Sequence, residues 1–230
     1  MKEKQIGLSG ELCARREILL SCPLFSGLRE AALDRAITLL SGMTRSYSRG
    51  EQLCRTDEPF TRFGLVLSGS VEVYTNDHEG NQIMMVGVEA GETFGESLCF
   101  LGRSAPHLYI LTATGAEVLW LSPAPFRAAP LWDDFTANLF SRFTAMLATR
   151  TLEMNERIQI LSKRTLREKL LTFFAACARR NGGKTFSIPF DRAALAVYLG
   201  VNRTALSREL SAMQREGLIS FYRNSFKLLF

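Results

Sequence analysis

Residues 199–210 read LGVNRTALSREL, and this stretch decides how the chain is read. A glycine separates two short helical patterns. Upstream, Pro189 and Phe190 precede Asp191, a good N-cap for the helix DRAALAVYLG (191–200). Leu195 and Leu199 lie four apart and bury on one side, and Ala196 is small where a second helix must cross closely. Gly200 turns the chain through a backbone conformation that costs other residues more. Val201 plugs the turn, and Asn202 caps a second helix expected from about Arg203 to Glu216. Leu206, Leu210 and Met213 form its buried face, and Gly217 ends it. The spacing Ala-x3-Gly-x5-Leu is the packing skeleton of a helix-turn-helix.

Once the buried positions are set aside, Asn202, Arg203, Thr204, Ser207 and Arg208 remain at the start of the second helix. Either they form an ordinary solvated surface or they enter a major groove. Arginine matches the O6/N7 acceptors of guanine in a bidentate way, and hydroxyls suit phosphates or base edges. The set as a whole, on this skeleton, favours DNA contact. LISFYRNSFKLLF (218–230) then reads as strand, turn (Arg223–Ser225) and strand. A hairpin directly after a recognition helix is a wing, which brings Arg223 and Lys227 within reach of phosphates.

Charge supports this reading. Of the net +5, residues 161–230 hold thirteen lysines and arginines against four acids, or +9, which leaves −4 for residues 1–160. A basic segment of that size suits a polyanion. The five cysteines (Cys13, Cys22, Cys54, Cys99 and Cys177) are scattered and form no C-x2-C pair, which argues against zinc and iron–sulfur frameworks. They read as free thiols of a reducing compartment, with a redox-sensing role left open. His78 and His107 are the two histidines, too few for a His-based catalytic metal. No Ser/His/Asp order, P-loop, HExxH or paired-carboxylate context points to an enzyme. The opening MKEKQIGLSGEL has no apolar core and no run reaches the ~18 residues a bilayer demands, so a cytoplasmic location away from membranes is expected.

Working outward, LREAALDRAITLL (28–40) has helical spacing. GLVLSGSVEVY (64–74) alternates as a strand, NDHEGN (76–81) turns, and QIMMVGV (82–88) returns as the second strand of a hairpin. AGETFGES (90–97) is punctuated by glycine, and HLYILTATGAEVLWLS (107–122) supplies two more strands. Many short strands at this spacing favour a β-barrel or sandwich. After SPAPFRAAP (122–130) the pattern is helical. Phe140, Thr144, Leu147, Thr151, Met154, Ile158 and Leu161 recur at spacings of four and three, a heptad-like seam. It fits a helix packed on its own domain or one that pairs with a second copy. Length favours pairing, through Phe140, Leu147, Met154 and Ile158. LSKRTLREKLLTFFAACARRNGG (161–183) is a further helix stopped by Asn-Gly-Gly, with a hinge expected near 161–165.

In this order the parts are recognisable. Over about residues 20–230 the chain resembles the CRP/FNR family of bacterial transcription regulators. The matching pieces are YSRGEQL (47–53), LVLSGSVEVY (65–74), DHEGNQI (77–83), AGETFGES (90–97) and LGVNRTALSRELSAMQREGLI (199–219). Gly50, Gly69, Gly91 and Gly95 fall where the family's sensor roll turns. The resemblance implies an α+β chain in three parts: an N-terminal β-roll of the cyclic-nucleotide-binding jelly-roll type with its leading helices (1–130), a long dimerisation helix (131–161) and a C-terminal winged helix-turn-helix (162–230). It further implies a homodimer on near-palindromic double-stranded DNA, RNA polymerase as a partner, and allosteric control by a small-molecule or redox signal. Arg203, Thr204 and Arg208 occupy the family's main DNA-contact positions. Thr204 stands where several relatives carry Glu, which alters the expected half-site.

The family's cyclic-nucleotide pocket combines Gly-Glu with a downstream Arg-Ser-Ala. Here Gly95-Glu96 and Arg103-Ser104-Ala105 are present, but Arg103 comes early relative to Glu96. Leu152-Glu153 replaces the adenine-facing Thr-Ser pair on the dimer helix. Cyclic AMP is therefore disfavoured. Haem is disfavoured too, because Ser97 stands at the position where the family's haem sensor has His. No cofactor is expected to be required, and the effector is left open. Its candidate contacts are Glu96, Ser97, Arg103, Ser104 and Thr151, with Phe94, Leu98, Phe100, Tyr109 and Leu147 as either pocket lining or plain core. A cyclic-nucleotide-binding signalling module without a transcriptional role is the alternative, but it has no need of residues 199–219.

Overall fold

The computed structural model describes residues 15–54, 56–76, 82–127, 133–188 and 190–230. Cys13, His78, Pro189, most of the turn expected at 76–81 and the end of the 122–130 stretch lie outside the described residues. The chain divides into two compact units, the first ending at Ala148 and the second running Thr149–Phe230.

The first unit begins with α1 (Arg16–Ser21) and α2 (Glu30–Leu39). Its strands are β1 (Met43–Tyr47), β2 (Phe63–Ser68), β3 (Ser70–Asn76), β4 (Gln82–Glu89), β5 (Thr93–Phe94), β6 (Leu108–Thr112) and β7 (Ala116–Leu121). A short helix α3 (Glu96–Leu101) follows β5, and a 3-10 turn at Ala124–Arg127 leads toward α4 (Asp134–Leu161). The strands form two antiparallel sheets, in the orders β1-β7-β2-β5 and β4-β3-β6.

The inner strands β2 and β7 are nearly all buried, so they read as apolar runs rather than as alternation. The expected single strand over 64–74 is in fact two. Gly69 adopts φ +75°, and a Cβ there would overlap the Gly115 carbonyl, so the chain bends and β3 joins the other sheet. The expected hairpin is present as β3–β4, paired from Ser70↔Glu89 to Asn76↔Gln82 with a register shift between Val73 and Tyr74.

The first turns of α4 bury Leu139, Phe143 and Met146, spaced four and three apart. The Phe143 ring lies 5.2 Å from Phe126 and 5.6 Å from both Phe63 and Phe100. Each buried aromatic of this kind stabilises the unit by about 1.5–3 kcal/mol. Of the expected seam, Phe140 and Leu147 pack partly against this same core, whereas Thr144 faces solvent.

The second unit holds the remainder of α4, then α5 (Leu166–Asn181), β8 (Thr185–Ser187), α6 (Arg192–Leu199), α7 (Arg203–Arg215), β9 (Ile219–Tyr222) and β10 (Ser225–Leu228). Each helix boundary has a local cause. Thr165 and Glu168 form a reciprocal capping box at the start of α5, and Gly182 closes it in the left-handed conformation. Asp191 accepts from the Ala194 amide at 2.7 Å to open α6, Gly200 ends it at φ +62°, and Asn202 accepts from the Thr204 amide at 2.8 Å to open α7. The core joins Leu170, Phe173, Phe174, Leu195, Leu199, Leu206, Leu210, Met213 and Phe226. The β9–β10 hairpin is extended by β8 into a three-stranded sheet, β8-β10-β9. β1, α3 and β8 were not foreseen.

Candidate functional site

The outer face of α7 is set by what its inner face must do. Leu206, Leu210 and Met213 are buried, so residues on the flanks and far side of the helix face solvent. Arg203, Thr204, Ser207 and Arg208 are all exposed in this way. The Ser207 hydroxyl donates to the Arg203 carbonyl at 3.0 Å, and Ser211 repeats the pattern to Ser207 at 3.0 Å. Asn202 is also exposed, but its side-chain oxygen is engaged as the helix cap. Its amide nitrogen carries the donors.

The wing completes the surface. Along β10 the chain alternates, with Phe226 and Leu228 buried and Ser225 and Lys227 exposed. Its turn comprises Arg223 and Asn224, one residue shorter than expected, and Arg223 takes a left-handed φ of +52°. The Arg223 guanidinium lies 5.5 Å from the Tyr222 ring.

Arg192, which the sequence reading did not single out, holds that turn. Its Nη2 donates to the Arg223 carbonyl at 2.8 Å, and its guanidinium sits 5.0 Å from the Phe221 ring and 5.2 Å from Phe226. Burial lowers its pKa. Its place directly after the N-cap was the available signal. Arg192, Arg203 and Arg223 line one open concavity of about 440 Å³ together with Asp191, Ala193 and Asn224. Three cations from α6, α7 and the wing converge there, an arrangement suited to a polyanion.

The first unit treats its candidate residues differently. Gly95, at φ +80°, turns β5 into α3 and leaves Glu96 only 3% exposed. The Thr93 hydroxyl donates to Glu96 Oε1 and lies 3.7 Å from the Met146 sulfur. By contrast, Ser97, Arg103 and Ser104 are exposed. The backbone of Arg103 joins Leu98 and Phe60, at 2.9 and 3.1 Å. Thr151 is exposed and belongs to the second unit. Phe94 is core: its ring lies where a Cβ on Gly64 would be, and it meets Trp120 edge-on at 5.4 Å. Leu98, Phe100 and Leu147 are partly buried against the same core. Glu96 is thus buried beside Thr93, whereas the Arg103 side chain lies on the surface.

Among the described residues Cys22, Cys99 and Cys177 are buried and Cys54 is half-buried. Burial pushes the Cys54 thiol up to about 11 and the Cys99 thiol up to about 12, so both stay protonated at neutral pH. No group of three or more metal-binding side chains occurs among the described residues, and no described helix is long and apolar enough to cross a membrane.

On α4, Met154 and Ile158, four apart on one face, are 65% and 58% exposed, and Leu152 on another face is 69% exposed. Large aliphatic side chains at this level of exposure, grouped on one rod, are candidates for contact with another surface.

Comparison with known proteins places both units. Residues 44–129 match the family described as a cyclic nucleotide-binding domain, and residues 168–229 match the Crp-like helix-turn-helix domain. The chain is 26% identical to the transcriptional activator protein FnrL of Cereibacter sphaeroides over 76% of this chain and 72% of that one. It is likewise 26% identical to the cyclic AMP receptor protein of Thermus thermophilus, over 86% and 88%. Among solved structures, FixK2 from Bradyrhizobium japonicum superposes with a TM-score of 0.53 at 22% identity, covering 81% of this chain and 92% of that one.

Proposed function

Because the chain belongs to the CRP/FNR family of DNA-binding transcription regulators, we propose that it acts as a homodimer that reads near-palindromic double-stranded DNA through α7 and answers to a signal received in its β-roll. One observation carries the reading. α7 buries Leu206, Leu210 and Met213 while presenting Arg203, Thr204, Ser207 and Arg208 outward, beside a wing bearing Arg223 and Lys227. Arg203 and Arg208 supply bidentate donors for guanine, and Thr204 and Ser207 supply short polar contacts. Arg223 and Lys227 meet phosphates and set the register without reading sequence. In this reading the division is 1–130 for sensing, 131–161 for dimerisation and 162–230 for DNA.

The second copy meets the exposed Met154 and Ile158 on α4, and a two-fold axis then sets the recognition helices about one DNA turn, ~34 Å, apart. A signal acts by favouring the dimer state whose helix spacing matches DNA, a coupling of ~1–3 kcal/mol. Among the described residues, burial raises the pKa of Cys99 and Cys177, which supports a small molecule over a thiol switch at those two positions. Cyclic AMP fits the residues poorly, since Glu96 is engaged by Thr93 and Arg103 lies on the surface. RNA polymerase is the further partner proposed for this role.

The test replaces Arg203 by Ala and measures binding to a duplex that the wild-type chain enriches from a random pool. A loss of ~1–3 kcal/mol, with relaxed preference at one base pair per half-site, is expected. Full retention of affinity and preference would remove α7 as the reading element.

A further inference from the structure

The recognition helix is held from behind by a single arginine. Arg167, the second residue of α5, donates Nε to Glu209 Oε1 at 2.6 Å. Its Nη1 and Nη2 donate to the two oxygens of Glu216 at 2.6 and 2.8 Å. Three donors of one rigid fork thus meet three carboxylate oxygens. Glu209 and Glu216 both belong to the recognition helix, about two turns apart, with Glu216 as its C-cap residue.

Two anchor points on one rod restrain its rotation as well as its distance. The buried Leu206, Leu210 and Met213 fix the roll coarsely, and a two-point tie on the carboxylates of Glu209 and Glu216 tightens it. Lys169 adds a second tie from α5, donating Nζ to the Leu199 carbonyl at the end of α6 at 3.1 Å. Both helices of the DNA-reading pair are therefore fastened to α5, which is the first helix after α4. The carboxylates raise the Arg167 pKa above its ordinary value, Glu216 foremost, and Arg167 lowers that of Glu216. The charge balance matters as well. Glu209 follows Arg208 directly, and an uncompensated carboxylate there would repel DNA phosphates.

We propose that Arg167 is a positioning residue for DNA recognition: it sets the roll of α7 so that Arg203, Thr204, Ser207 and Arg208 present one register to the groove, and it offsets part of the charge of Glu209 and Glu216. This rests on α7 being the recognition helix. Half-exposed ion pairs add little to stability, so a purely stabilising role explains the three-point geometry poorly. Lysine keeps the charge and loses the fork, which separates geometry from neutralisation.

The experiment uses the full chain as wild type, Arg167→Lys, Glu216→Gln and the double variant. The probes are a duplex enriched from a random pool by the wild type and a scrambled duplex of the same composition. Arg167→Lys is expected to weaken binding to the enriched duplex about tenfold, while binding to the scrambled duplex, its salt slope and the thermal midpoint stay near wild type. The double variant is expected to lose little more than Arg167→Lys alone, because both changes break the same fork.

An unchanged ratio between the two duplexes would overturn the proposal. Weaker binding to both duplexes by the same factor, with the thermal midpoint unchanged, would make Arg167 a phosphate contact instead. Equal losses on both, with a lowered thermal midpoint, would make it a merely structural residue. Failure of the wild type to enrich any sequence would refute the DNA reading itself, and it would be seen before any variant is examined.

Discussion

The two units handle polar chemistry in opposite ways. In the second unit the candidate DNA-contacting side chains point outward from a packed frame, with Arg203, Thr204, Ser207 and Arg208 exposed over buried Leu206, Leu210 and Met213. In the first unit the most telling polar group points inward, with Glu96 buried beside Thr93 and Met146. The charges divide in the same sense, +9 for residues 161–230 and −4 for the rest. A reader of DNA must offer hydrogen-bond donors to a partner larger than itself, so exposure and positive charge suit it.

The contrast is tested hardest at the frame. Replacing Leu206 by Ala, at a fully buried position of α7, is expected to cost the second unit about 2–5 kcal/mol. Denaturant unfolding should show a transition shifted for that unit and little change in the first. A single shift shared equally by both units would mean that they do not behave as separate frames.

The sensor side is probed by Thr93→Val, which keeps shape and removes the hydroxyl that donates to Glu96. The expected cost is about 1–3 kcal/mol, confined to the first unit. Unchanged stability would show that Glu96 draws its support from elsewhere.

The smallest effect is acid sensitivity. The Thr165 backbone and hydroxyl hold Glu168 below its ordinary 4.5, and Arg167 does the same for Glu216. A depressed folded-state pKa contributes stability that is complete above the unfolded value and is lost as pH falls through the folded one. The second unit should therefore unfold more readily as pH drops below about 4.5, and Glu168→Gln should flatten that dependence. A profile equally steep in the variant would remove the cap from the account.

The winged unit was the more legible of the two because its signals are local. The N-caps Asp191 and Asn202, the left-handed Gly200 and the buried positions Leu195, Leu199, Leu206 and Leu210 all fall within twenty residues. What escaped depends on distant partners. β1 (MTRSY) and β8 (TFS) carry little apolar alternation and exist by pairing with β7 and β10. The bend at Gly69 is forced by the backbone of Gly115, forty-six positions on. Thr165-x-x-Glu168 was a visible capping box that went unread. Arg192 and Arg167 look like surface charge in a linear string, and only the fold brings them to the wing turn and to Glu209 and Glu216. In the first unit, Glu96 lay in a quoted motif, but nothing in a sequence distinguishes a buried glutamate from a solvated one.

The central claim is that two copies of the basic unit read one duplex symmetrically. Selection of binding sites from a random pool, followed by sedimentation of the protein on the enriched duplex, tests it most directly. The account predicts inverted half-sites centred about one helical turn apart, bound by two chains, with enrichment lost in the Arg203→Ala, Arg208→Ala double variant. A single chain on an asymmetric site, or the same enriched sequence from the double variant, would contradict it.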